Sequence, residues 1–179
     1  MIGNSLRLRQ WLCSPEMKHT LIFCLISLWS DLYMVWLNSR DYKKQEYIEL
    51  SLNARLGEHI RLDFNPLKIS DVSSQEPSWK DWHCYRKPLR VYSPDFDILV
   101  SYFNQVYPII DASDNTKRDR FDVCFDNWIK KDYWIKMIHN IEVDLINFSK
   151  EKKEFLNTFI AWITDALQHT SVIVVEGNL

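Results

Sequence analysis

The stretch YIELSLNARLGEHIRLDF, Tyr47–Phe64, decides how the chain is read. Ile48, Leu50, Leu52, Ala54 and Leu56 alternate with Glu49, Ser51, Asn53 and Arg55. After Gly57-Glu58 the period resumes as Ile60, Leu62 and Phe64 against Arg61 and Asp63. Successive side chains of a strand point to opposite faces, so both arms have one wet face and one buried face. With Gly57 between them, the arms predict a β-hairpin. Apolar positions are even-numbered in both arms, and cross-strand partners share a face. The loop of such a hairpin therefore holds an odd number of residues.

Working outward, other segments carry a period of their own. Upstream, Ser14-Pro15-Glu16 has the chemistry of a helix start, and a helix is expected from Pro15 to about Asn38 with Leu21, Leu25, Leu28, Leu32 and Val35 on its main stripe. Downstream, Pro66 to Pro88 has no period and reads as loop. A strand is expected at Leu89–Tyr92, then a helix opened by Ser93-Pro94-Asp95 and stopped at Tyr107 by Pro108. Phe121, Val123 and Phe125 alternate with Asp122, Cys124 and Asp126, which predicts a second half-buried strand. Trp134, Ile138, Ile141, Leu145 and Phe148 have helical spacing. A break near Ser149 precedes a last helix carrying Phe155, Phe159, Trp162, Ile163 and Leu167, and Val172–Val175 reads as a buried strand. The expected fold is α+β: one domain over residues 1–179, a mainly antiparallel sheet with a central hairpin, covered by several amphipathic helices.

Composition excludes several functions. Acidic and basic residues number 24 and 22, a net charge of -2, so bulk electrostatics draws the protein towards neither nucleic acid nor anionic lipid. The basic pairs Lys43-Lys44, Lys117-Arg118 and Lys130-Lys131 are short and read as solvated faces. Gly3, Gly57 and Gly177 are the only glycines, so neither a P-loop nor a G-x-G-x-x-G turn can be built and no nucleotide cofactor is expected. Leu21–Leu37 is short for a span, and Asp31 would cost about 2.5–3.5 kcal/mol mid-bilayer. A buried core helix is expected there instead. Cys13, Cys24, Cys84 and Cys124 show no C-x-x-C and no paired Cys/His spacing, which reads as free thiols in a reducing, cytoplasmic compartment and no metal.

Catalytic patterns are equally thin. His19, His59, His83, His139 and His169 form no H-E-x-x-H, and no G-x-S-x-G turn exposes a nucleophile. Asp122 and Asp126 would lie about 13 Å apart on one strand face, too far to share a metal, although either could meet Asp111 or Glu176 in the fold. A metal-dependent phosphoesterase or nuclease built on Asp111, Asp122 and Asp126 is one alternative, and a homo-oligomer subunit burying its tryptophans against a copy of itself is another. The leading expectation is a non-enzymatic binding surface. Trp79, Trp82 and Tyr85 sit in the aperiodic region, and Trp128 and Tyr133 accompany Asp122, Asp126 and Asp132. Aromatic rings supply hot-spot area and carboxylates steer a basic partner, unless the rings fold back as lids on the core.

A small, mildly acidic, glycine-poor α+β protein with aromatic loops resembles the immunity proteins of bacterial contact-dependent toxin–immunity pairs. That resemblance rests on size and character and on no motif. It implies a cytoplasmic protein that neutralises a cognate toxin domain, often a nuclease, by binding it tightly.

Overall fold

Strand β2 (Arg61–Pro66) sorts the protein into two faces, because Leu62 and Phe64 point one way and Asp63 and Asn65 the other. The computed structural model describes residues 35–37, 42–68 and 82–178, and its elements fall within Trp36–Leu179, one of the two units into which the chain divides. In chain order they are β1 (Ile48–Leu50), β2, β3 (Leu89–Tyr92), α1 (Phe96–Val106), β4 (Ile109–Ile110), β5 (Lys117–Arg118), β6 (Asn127–Lys130), α2 (Lys131–Asp144), α3 (Lys150–Ala166) and β7 (Val172–Gly177). Five strands form a sheet in the order β1-β3-β2-β7-β6, and β4 and β5 pair separately. The fold is α+β. Every pairing in the larger sheet is antiparallel except β1 with β3.

The expected hairpin does not form. Strand β3 lies between the two arms, with Leu50 and Leu62 both opposite Val91. Ile48, Leu50, Leu62 and Phe64 still share one face, whereas Leu52, Ala54, Leu56 and Ile60 fall in the connection between the strands. Parity fixes which residues are co-facial and leaves open which strand is adjacent. Arg90 stands beside Asp63 across the β2–β3 pair and joins Arg61 in neutralising its carboxylate. Residues 51–60 thus cross over β3 as a connection, and Leu56 is fully exposed within it.

The strand expected at Phe121–Asp126 is also displaced. Those residues form a turn, and β6 begins only at Asn127. The cause is local competition for backbone groups. Asn127 Nδ2 donates to the carbonyls of Asp122 and Phe125, both at 2.7 Å, and Asp122 Oδ1 accepts from the Cys124 amide. Side-chain bonds of this kind curl a segment that would otherwise extend.

Other elements form where their chemistry places them. Tyr107 is extended (φ −74°, ψ 148°) before Pro108 and ends α1. Ser149 Oγ accepts from the Lys152 amide and caps α3. The three helices cover the apolar face of the sheet. Phe64 lies within 6.5 Å of the ring centres of Phe103 from α1, Trp134 from α2, and Phe159 and Trp162 from α3. The buried indoles keep hydrogen bonds, Trp134 to the Ile129 carbonyl and Trp162 to that of Lys87, each at 3.1 Å. The helix expected from Pro15 lies outside the described residues except at its end, where Trp36 makes an antiparallel bridge to Tyr85 instead. Among the described residues no helix is long and apolar enough to cross a membrane.

Candidate functional site

The face of the sheet away from the helices carries charge. Asp63 is buried and receives Arg90 Nε and Nη2, both at 2.7 Å, and Arg61 Nε at 3.2 Å. The Arg90 guanidinium also lies 3.8 Å from the centre of the Tyr47 ring. This is a satisfied charge network of forked donors on one carboxylate.

Two residues further along β2 the balance changes. Asn65, wholly buried, donates from Nδ2 to Glu176 Oε2 at 2.5 Å, while its own Oδ1 has no hydrogen-bond partner. His83 Nε2 stands 3.6 Å from Glu176 Oε1. Burial, followed by the neighbouring carboxylates of Asp126 and Asp63, pushes the Glu176 carboxyl up to about 7 against the pull of Arg61. Burial lowers the His83 pKa and raises that of Asp126. Burial thus disfavours the charged form of both partners in the 3.6 Å His83–Glu176 contact.

Asp126 joins this corner to a cleft of about 660 Å³. Trp128 lies among its lining residues, buried and stacked on Trp82 with ring centres 5.0 Å apart. One flank is the arm of β4 and β5, whose cations are mostly committed: Arg118 Nη2 bonds Asp114 at 2.7 Å, and Lys117 Nζ bonds Asp119 at 2.7 Å. Asp111 is buried and accepts from the amide and hydroxyl of Ser113. The other flank is the turn ahead of β6, with Asp122, Asp126 and Phe125, a residue 69% exposed.

Of the residues anticipated for a binding patch, Trp82, Asp122, Asp126 and Trp128 are brought to this region. Trp128 is nevertheless a core residue, and Trp82 is its half-buried lid. Tyr85 is buried edge-on against Trp36 and Trp162, so it is no surface anchor. Tyr133 is half-buried and its hydroxyl accepts from the Ile110 amide, and Asp132 is exposed in the first turn of α2. None of these three lines the cleft. Trp79 lies outside the described residues.

Sequence reading missed Phe125, placed by its alternation on a buried face, and the Asn65–Glu176 pair. The polar row Arg61, Asp63, Asn65 was visible as a period, but not that it would be covered. Asp111, Asp122 and Asp126 do line one cleft. Yet among the described residues no three His, Cys, Asp or Glu side chains stand close enough to hold a metal ion. The thiol of Cys84 is buried and that of Cys124 exposed. Comparison with protein-family models, with curated proteins and with solved structures finds no match to this chain.

Proposed function

We propose that this chain is a binding protein that sequesters a basic protein partner at the cleft beside β6, as an immunity protein holds its toxin domain. One observation carries the reading: Phe125 stands largely in solvent between Asp122 and Asp126, on a cleft that Lys117, Arg118 and Arg120 also line. A turn held by the Asn127 side chain presents that ring in a fixed place. An aromatic group displayed with little conformational freedom is the usual source of hot-spot energy, and rim carboxylates speed encounter with a basic surface.

The test begins with basic proteins encoded beside this gene, purified with the chain and measured for association and dissociation rates. Phe125→Ala should raise the off-rate and cost about 2 kcal/mol of affinity. Asp126→Lys should slow association and flatten its salt dependence, while Asp132→Lys, away from the cleft, should do so less. Trp128→Ala is unsuitable as a probe because removing a buried indole costs about 3–5 kcal/mol of stability. A cognate partner whose affinity ignores both Phe125 and Asp126 would refute the assignment.

A further inference from the structure

We draw no further inference here: the strongest candidate, the turn in the connection from β1 to β2 that holds Leu56 fully exposed beyond the amides of residues 52–54 bound by Asp95, is an unpartnered apolar feature, and nothing in the structure shows what covers it.

Discussion

Gly177 is where one missing side chain holds the cleft together. A Cβ built there would lie 1.6 Å from the Val123 carbonyl oxygen and 2.7 Å from its carbon, both of them backbone. The turn that carries Phe125 and Asp126 is therefore seated directly on the end of β7. Gly177→Ala must push that turn off the sheet, with an expected loss of about 1–3 kcal/mol, typical of overpacking. Phe121, stacked on Phe103 with ring centres 4.0 Å apart, should report the movement through its ring resonances. Urea denaturation gives the energy, and an unchanged midpoint with unchanged Phe121 shifts would show that the turn is not seated as described. Nothing in the sequence marks this glycine, since its φ is ordinary and only the approach of a distant carbonyl requires it.

Among elements, the connection from β1 to β2 is the one whose stability is least expected. Its residues run across β3 without pairing in the sheet, and a fully buried carboxylate fixes them. Asp95 accepts the successive amides of Leu52, Asn53 and Ala54 at 2.6, 2.8 and 3.1 Å. Charged acceptors on several backbone amides are strong, each bond contributing about 1.5–3 kcal/mol. Asp95→Ala should destabilise the protein by about 3 kcal/mol or more and speed hydrogen exchange at residues 52–54 above all. Protection that survives there unchanged would show that the loop is held by something else. The same aspartate explains what the sequence could and could not disclose. Ser93-Pro94-Asp95 was legible as a helix start, and α1 begins at Phe96. Yet Asp95 makes no capping bond in α1 and commits its carboxylate to a segment 41 to 43 residues away. Local chemistry was readable at Leu89–Tyr92, at Tyr107-Pro108, at Ser149 and at Val172–Val175, because neighbours in sequence decide those sites. The insertion of β3 between β1 and β2 was not, because alternation alone cannot say which strand Arg90 will accompany. Phe125 was lost for a related reason, since the Asn127 side chain overrides the period of the residues before it.

At the scale of the whole molecule, one face of the sheet is an aromatic core and the other encloses ionisable groups, so stability must respond to pH in a way set by that second face. Glu176 ionises near 4.5 in an unfolded chain and at about 7 in the fold, mainly because of burial and secondarily because of Asp126 and Asp63. Below pH 4.5 both states hold the proton and the group is neutral to folding. Between pH 4.5 and about 7 the folded chain alone keeps it, so each step upward erodes stability. Above that window the loss is complete, at most about 3 kcal/mol, because each pH interval of one between the two values is worth about 1.4 kcal/mol. His83 acts at the other end. Its lowered pKa means that the unfolded chain takes up a proton first as pH falls below 6.5, so acid also destabilises. Glu176→Gln isolates the first effect. Relative to the natural chain its stability should be unchanged near pH 4, rise progressively, and exceed it by about 2–3 kcal/mol at pH 8, as read from urea midpoints across that range. A constant offset at every pH would mean that glutamine merely packs better. A natural sequence that keeps a carboxyl where an amide would be more stable at neutral pH is conceding stability at one place, and such concessions concentrate at functional sites.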